Sequence, residues 1–374
     1  MTTVSGEIGL SSPDITQQEI DAVGEVLRSG RLSLGPRVEA FEQAVSKFVG
    51  TKHAIACSSG TTGLHLLMRA INVRPGDEVI TTPFSFVASS NCVLFEGGKP
   101  VFADIDPQTW NIDPAAVEAA VTPRTKALIP VDAFGAVCAI DAINAIARKH
   151  SLKVVEDSCE ALGATWRGRK AGSLGDAGVF GFYPNKQITT GEGGMITTND
   201  DEIARLCVSM RNQGRDTGMG WLSHERLGYN YRLSDVNCAI GVVQMRRVDE
   251  ILSRRTQVAA AYLERLKGET RLTPQKIPAD CGMSWFVFVV KLADSYSEEF
   301  RNTLIHRLRS EGIGCSNYFA PIHLQRFYME QFGYRRGQFP VCEQVAARTV
   351  ALPFHSKLTT DEIDRVCATL RRML

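Results

Sequence analysis

Short apolar runs alternate with segments of helical periodicity over the first two thirds of the chain. HAIAC, DEVITT and LKVVED are apolar almost throughout, and GTTGLHLLMRAIN puts Leu64, Leu67, Met68 and Ile71 on one helical face. Strands that are buried on both faces have this composition, and alternating strands and helices are typical of a parallel sheet covered by helices. The pattern therefore predicts an α/β fold with a mostly parallel central sheet.

The pattern changes after the region that ends in GGMITTND. From Ser234 onward, more than thirty residues without proline predict a long helix that connects two domains. Beyond it, the apolar run MSWFVFVVKL predicts a strand, and EEFRNTLIHRLRSEG and TTDEIDRVCATLRRM predict helices. We therefore expect a large domain over residues 1–250 and a smaller α+β domain over residues 251–374.

The composition argues against several classes of binding partner. The net charge of +1 favours neither nucleic acid nor an anionic membrane surface. The longest strongly apolar run, WFVFVV, is too short to span a bilayer, and no basic stretch followed by an apolar one opens the chain. The ten cysteines are scattered singly, without the spacing of a metal site, so we expect reduced thiols and no bound metal. We therefore expect a cytoplasmic protein that binds neither membrane nor nucleic acid.

Two polar features follow predicted strands, at the edge where open α/β sheets bind ligands. In CSSGTTG, Gly60 and Thr61 lie at the start of a predicted helix, whose free N–H groups favour a phosphate. Simple helix capping by Ser and Thr is the alternative. Asp157 ends the buried strand LKVVED, where a carboxylate is costly unless it is paired. It is a candidate partner for a cationic cofactor nitrogen, and an ion pair or a helix cap is the alternative.

The third feature is Lys186, in the segment FYPNKQITTGEGG after the apolar run AGVF. A lysine whose stem packs while its amine reaches water is one interpretation, and a lysine that bonds covalently to a carbonyl is the other. A phosphate cradle, a carboxylate and a reactive amine together match the requirements of pyridoxal 5′-phosphate (PLP). Phe86, in TTPFSFVAS, is a candidate to stack on the cofactor ring, with core packing as the alternative.

These segments resemble the sugar aminotransferases of the DegT/StrS family, a branch of the fold-type-I PLP enzymes, over nearly the whole chain. The matching segments are RSGRLSLGPRVEAFE, SSGTTGLHL, RPGDEVITTPFSFVAS, VVEDSCEALGA, FYPNKQITTGEGG, RNQGRD, LGYNYRLSDVNCAIG, NYFAPIHLQRFY and ALPFHSKLT. The segments around Lys186 and LGYNYRLSD are the most specific of them. The resemblance implies the fold-type-I architecture with PLP as cofactor.

The resemblance also implies roles for individual residues. Lys186 would be the Schiff-base lysine and proton carrier, and Asp157 would pair with the pyridine nitrogen. Phe86 would stack on the ring. Glu160 stands where the family commonly has a glutamine beside the ring hydroxyl, and glutamate also occurs there.

In the same way, Gly60 and Thr61 would hold the phosphate, and Asn230 would reach the phosphate of a neighbouring subunit. The resemblance thus implies a homodimer with shared active sites. Two positions depart from the family pattern. Gly181 stands where many members have a phosphate-binding serine, and Asp132 stands where a histidine is frequent.

The reaction implied by the resemblance moves an amino group from L-glutamate to a keto-deoxysugar linked to a nucleotide diphosphate. Candidate substrate contacts are Ser33, Tyr183, Tyr318 and His323, with Arg232 for the donor carboxylate; capping, core packing or a salt bridge explains each equally well. Relatives that dehydrate sugars carry histidine in place of the lysine, so Lys186 favours transamination. Another cyclic ketone such as an inosose, a sugar dehydratase relative and a non-catalytic scaffold are the alternatives.

Overall fold

The computed structural model describes residues 6–216, 218 and 222–374. The strands are β1 (His53–Cys57), β2 (Glu78–Thr81), β3 (Lys99–Phe102), β4 (Thr125–Ile129), β5 (Lys153–Asp157), β6 (Thr165–Trp166), β7 (Arg169–Lys170), β8 (Ala177–Gly181), β9 (Gly194–Thr198), β10 (Leu272–Pro274), β11 (Cys281–Gly282), β12 (Phe288–Leu292) and β13 (Thr349–Leu352). The helices are α1 (Gln17–Ser29), α2 (Pro36–Val49), α3 (Gly60–Ala70), α4 (Ala88–Leu94), α5 (Pro114–Ala120), α6 (Ile140–His150), α7 (Asp201–Arg211), α8 (Asp235–Arg246), α9 (Val248–Leu266), α10 (Glu298–Ser310), α11 (Arg326–Phe332), α12 (Pro340–Ala346) and α13 (Thr360–Met373). Short 3₁₀ helices span Ala133–Gly135 and Ile322–Leu324.

The central sheet has seven strands in the order β1-β9-β8-β5-β4-β2-β3. Six of them share one direction, and β9 runs antiparallel to both of its neighbours. This confirms the predicted α/β fold with a mostly parallel sheet. Because β8 and β9 are adjacent and antiparallel, residues 182–193, which include Lys186, join them at the carboxyl edge of the parallel strands.

The strands of the central sheet are buried on both faces, as their composition predicts. Every residue of β2 and of β9 is buried. Helix α3 covers one face with Leu64, Leu67 and Met68, which are fully inaccessible to solvent, while Ile71 is 8% exposed. The helical face predicted from the sequence is therefore the face that packs on the sheet.

The predicted single helix after Ser234 is wrong in one respect, because the chain forms two helices that meet at Arg247. This residue leaves helical geometry, with φ −103° and ψ 3°. Its buried guanidinium lies 2.8 Å from Asp14 and 2.9 Å from Glu19. The ion pairs with the N-terminal region hold the chain at this bend, so a tertiary contact ends the helix at a point that has neither proline nor glycine.

A second sheet, in the order β10-β12-β13, is antiparallel throughout. Its core contains Tyr262 of α9, Phe288 of β12 and residues of α10 and α13. Ile8 belongs to the same core, and its N–H donates to the carbonyl of Gly312 at 2.8 Å. The start of the described chain therefore packs against its C-terminal part, and the division at residue 250 remains a prediction.

Within the part of the chain that the structure describes, no helix has both the length and the apolarity needed to cross a membrane. Nor do three or more described His, Cys, Asp or Glu side chains cluster as metal ligands would. All ten cysteines are free thiols, and eight of them are buried. The expectation of reduced, mainly buried cysteines is thus confirmed.

Candidate active site

One cavity of about 460 Å³ opens at the carboxyl edge of the central sheet, lined by segments that follow β1, β2, β4, β5 and β8. It brings together eight of the residues singled out in the sequence: Gly60, Thr61, Phe86, Asp157, Glu160, Tyr183, Lys186 and Tyr318. These residues come from distant parts of the chain and meet because parallel strands end at the same edge.

The N-terminus of α3 forms one wall of the cavity. Ser59 caps the helix, since its hydroxyl accepts from the Thr62 N–H at 3.1 Å. The N–H groups of Gly60 and Thr61, at the first two helical positions, have no acceptor among the described residues. A β-carbon on Gly60 would lie 2.7 Å from the sulfur of Cys159, so only glycine lets the helix approach this closely. The cap and the free N–H groups coexist here, which leaves the helix end open to an anion.

Asp157 lies on the floor of the cavity and is 5% exposed. Its Oδ2 accepts the hydroxyl of Ser89 at 2.7 Å, and its Oδ1 accepts the backbone N–H of Cys159 at 3.2 Å. No described lysine, arginine or histidine forms an ion pair with it, and it caps no described helix. A buried carboxylate that accepts only neutral donors leaves room for a cationic partner from a ligand.

Lys186 reaches into the cavity rather than into bulk solvent, and its side chain is 15% exposed. Its Nζ lies 3.5 Å from Oε1 of Glu160 and 4.0 Å from the ring centroid of Phe286. Oε2 of Glu160 accepts the N–H of Phe134 at 2.9 Å. Burial raises the pKa of Glu160, and the positive charge of Lys186 partly offsets that effect. The packed-stem, solvated-amine interpretation of Lys186 therefore does not fit the structure.

Two aromatic side chains of the cavity are open to solvent. Phe86 is 64% exposed, which rules out core packing as the reason for this phenylalanine. Tyr183 is 54% exposed. Tyr318 is less accessible, and burial followed by the negative charge of Glu160 raises its pKa to about 12. The hydroxyl of Tyr318 is therefore neutral and able to donate a hydrogen bond at neutral pH.

Three predicted residues lie outside this cavity. Ser33 and Asn230 are exposed on the surface. Arg232 is partly buried and donates through Nη1 to the side-chain carbonyl of Asn212 at 2.9 Å. None of the three lines the cavity of its own chain.

His323 is not brought to the cavity either. Its side chain is fully buried, with Nε2 3.0 Å from Oε1 of Glu343 and its ring 4.7 Å from that of Phe339. Core packing, the alternative weighed for this residue, accounts for the placement, and a substrate cannot touch it in this conformation.

The two departures from the family pattern have different surroundings. A β-carbon on Gly181 would lie 3.5 Å from Cys159 Sγ, an ordinary contact, so the strand end has room for a small side chain. Asp132 is buried away from the cavity, where it accepts the hydroxyl of Ser158 at 2.7 Å and the N–H of Cys138 at 3.0 Å. It supports the segment around Asp157 from below, since its own N–H donates to the Asp157 carbonyl at 3.1 Å.

Sequence reasoning missed three residues that shape the site. Ser89 contacts Asp157, and its position one helical turn after Phe86 was a usable signal. Asn185 precedes Lys186 directly and lines the cavity with a buried Oδ1 that has no hydrogen-bond partner within the described part of the chain. Phe286 comes from a segment one hundred residues further along the chain (286 against 186), and no local pattern connects it to Lys186.

Comparison with known proteins agrees with this geometry. Residues 13–371 match the model of the DegT/DnrJ/EryC1/StrS aminotransferase family. The chain is 40% identical to the GDP-perosamine synthase of Caulobacter vibrioides, over 98% of both chains. It is 38% identical to the spore coat polysaccharide biosynthesis protein SpsC of Bacillus subtilis, over 96% of this chain and 95% of the other.

A solved structure shares the fold. The putative sugar aminotransferase Spr1654 of Streptococcus pneumoniae superposes with a TM-score of 0.94 at 28% identity, covering 98% of this chain and 97% of that one. That protein has been solved in its pyridoxamine phosphate (PMP) form and in its PLP form. The fold-type-I architecture predicted from the sequence is thereby confirmed.

The residues of the cavity fit PLP on three independent observations. The helix end at Gly60 and Thr61 has free N–H groups for a phosphate, Asp157 has no cationic partner among the described residues, and the ring of Phe86 is uncovered. Each feature matches one part of that cofactor. The chain therefore belongs to the DegT/DnrJ/EryC1/StrS aminotransferase family and is a PLP-dependent aminotransferase.

Proposed function

We propose that this enzyme transfers an amino group from L-glutamate to a keto-deoxysugar linked to a nucleotide diphosphate. The observation that carries the proposal is the meeting of Lys186 and Asp157 in one cavity beside the open helix end at Gly60. The GDP-perosamine synthase and the spore coat polysaccharide protein support a sugar acceptor, because both are similar along nearly their whole length.

When bound, PLP supplies an aldehyde for the amino group and a ring that accepts electrons as the donor loses its α-proton. Lys186 would hold the cofactor covalently through its amine, and the same amine, when free, would carry a proton during the reaction. Asp157, whose carboxylate is fixed by two neutral donors, would pair with the protonated pyridine nitrogen. Phe86 would cover one ring face.

Other residues have simpler roles. The N–H groups of Gly60 and Thr61 would hold the phosphate, and Glu160 would lie beside the ring hydroxyl. The partly accessible rings of Tyr183 and Tyr318 line the cavity and are suited to contact a sugar acceptor. Their hydroxyls supply hydrogen bonds to sugar oxygens, while the rings cover apolar sugar faces.

We further propose a homodimer in which each subunit completes the other's site. Asn230 is exposed and lies outside its own cavity, which is the placement required of a residue that serves a neighbour. Ser33 and Arg232 can take part in substrate binding only through the same exchange. The near-neutral charge and the free, mainly buried cysteines support a cytoplasmic enzyme.

The acceptor is identified with the PMP form of the enzyme, prepared with L-glutamate and freed of small molecules. Nucleotide diphosphate 3-keto and 4-keto deoxysugars are added one at a time, together with a keto-inositol as the alternative acceptor. Mass spectrometry follows gain of the amino group by the acceptor, and absorbance follows return of the PLP form. Turnover with the keto-inositol but with no nucleotide sugar would overturn the proposed acceptor class.

A further inference from the structure

Arg255 of α9 is buried where a charge is expensive. It is 3% exposed, and no described carboxylate forms an ion pair with it. Its Nε donates to the carbonyl of Trp285 at 2.7 Å and its Nη2 to the carbonyl of Phe286 at 2.6 Å. Burial lowers the pKa of this guanidinium to about 10. Burying a charge is costly, and this one is satisfied mainly by two backbone carbonyls. We therefore infer that Arg255 serves to fix the position of those carbonyls.

The two carbonyls belong to residues 284–287, which we call the crossing segment because it runs from the cavity into the second sheet at β12. The N–H of Ser284 donates to the carbonyl of Gly135 at 2.9 Å, and the carbonyl of Ser284 accepts from the side chain of Gln187 at 2.9 Å. A β-carbon on Gly135 would lie 1.7 Å from the Ser284 carbonyl oxygen. The crossing segment is therefore held by hydrogen bonds to Gly135 and to Gln187.

The crossing segment contacts the amine of Lys186 and the side chain of the residue that follows it, Gln187. Gln187, the next residue, is tied to Ser284 and also donates to the Glu160 carbonyl, which anchors the backbone of Lys186. The ring of Phe286, only 1% exposed, lies 4.0 Å from the amine. An aromatic face attracts an ammonium group, and the attraction is stronger away from water.

We propose that the crossing segment, held by Arg255, positions Lys186, and that the ring of Phe286 holds the free amine of Lys186 in its charged form whenever that amine is not bonded to the cofactor. Phe286 is therefore a positioning residue, because its ring contacts the same amine of Lys186 that Glu160 contacts. The proposal rests on the proposed role of Lys186.

Several ionisable groups line the cavity that holds the amine: Asp157, Cys159, Glu160, Tyr183, Glu192 and Tyr318. A change confined to the ring of Phe286 leaves every one of these groups in place. Its effect on the pH dependence of Lys186 chemistry therefore reports the aromatic contact.

The test measures covalent attachment of PLP to the full-length, cofactor-free protein between pH 6 and pH 10. Borohydride fixes the bond between Lys186 and the cofactor, and peptide mass spectrometry measures the extent. Attachment needs the neutral amine, and the ring favours the charged one. Phe286→Leu should therefore move the midpoint of attachment to lower pH by about one unit, while Phe286→Tyr, which restores an aromatic face, should keep the wild-type midpoint.

Phe288→Leu is the matched control, because this fully buried ring two residues away stacks on Tyr262 and on Trp285 of the crossing segment, and not on Lys186. Its midpoint should equal that of the wild type. Equal midpoints in Phe286→Leu and wild type, or the same shift in Phe288→Leu, would overturn the proposal. If wild-type Lys186 is never labelled, the proposed role of Lys186 is wrong. This result differs from equal midpoints, so the two failures can be told apart.

Discussion

The amine of Lys186 lies 3.5 Å from the carboxylate of Glu160, although the two side chains follow different strands of the central sheet. Burial raises the pKa of Glu160, and the charge of Lys186 partly offsets this. In a state without that neighbouring charge, burial alone would favour Glu160 as a neutral hydrogen-bond donor.

A glutamine at position 160 should therefore serve nearly as well as the glutamate. We expect Glu160→Gln to keep the rate of the glutamate half-reaction within about tenfold of wild type, and Glu160→Ala to lower it by about 100-fold. Single-turnover absorbance measurements check both. Equal losses in the two variants would mean that hydrogen bonding at this position is unimportant.

Removing the charge of Asp157 should slow the glutamate half-reaction more than removing the charge of an aspartate outside the cavity. Asp157→Asn keeps the shape of the side chain but no longer holds a proton on the pyridine nitrogen, so the half-reaction should slow by at least about 100-fold. The same substitution at Asp176, which pairs with Lys153 near the surface, is the control. An Asp157→Asn enzyme as fast as the Asp176→Asn enzyme would remove Asp157 from the mechanism.

The sequence was sufficient for the parts of the site that depend on strand ends. Gly60, Asp157 and Lys186 each follow an apolar run, and the shared direction of these strands brings them together. The reversed direction of β9 and the contact of Phe286 with Lys186 depend on long-range packing, which leaves no local pattern. The bend at Arg247 is of the same kind, since its partners Asp14 and Glu19 are more than two hundred residues away.

Substitution of Asn230 tests whether each active site is shared between two subunits. Asn230→Ala should weaken retention of PLP by about tenfold through loss of one hydrogen bond to a charged phosphate, with the dimer intact. Equilibrium dialysis measures the affinity, and Asn302→Ala on the surface of α10 is the control.

Mixing subunits makes this test independent of folding. In a heterodimer of Asn230→Ala and Lys186→Ala chains, one site carries both changes and the other carries neither. Mixing should therefore restore up to half the wild-type activity per dimer. No recovery on mixing, or unchanged affinity in Asn230→Ala, is incompatible with shared sites.

Asp132 gives the protein a predictable pH dependence of stability. Burial and then the negative charge of Glu156 raise the pKa of Asp132 from the ordinary 3.8 to about 8. Between these values the folded protein keeps a proton that the unfolded chain has released, so the free energy of unfolding falls as pH rises. The slope is at most about 1.4 kcal/mol per pH unit for one proton.

Asp132→Asn should flatten this decline, because the amide does not titrate and so binds no extra proton in the folded state. Urea unfolding of the cofactor-free protein at pH 5 and pH 8 measures the difference, with Asp21→Asn on the exposed face of α1 as control. A decline in Asp132→Asn as steep as in wild type would show that Asp132 does not hold the proton.

The central claim is that Lys186 bonds covalently to PLP and that L-glutamate displaces Lys186 from that bond. The visible spectrum tests this claim most directly. Wild-type protein with PLP should become yellow and lose the colour on addition of L-glutamate, and Lys186→Ala should never develop the same band. Lys170→Ala, whose amine also lies over an aromatic ring, 3.8 Å from the centroid of Phe48, should behave as wild type. A yellow band that persists in Lys186→Ala, or one that L-glutamate leaves unchanged in wild type, would contradict the account.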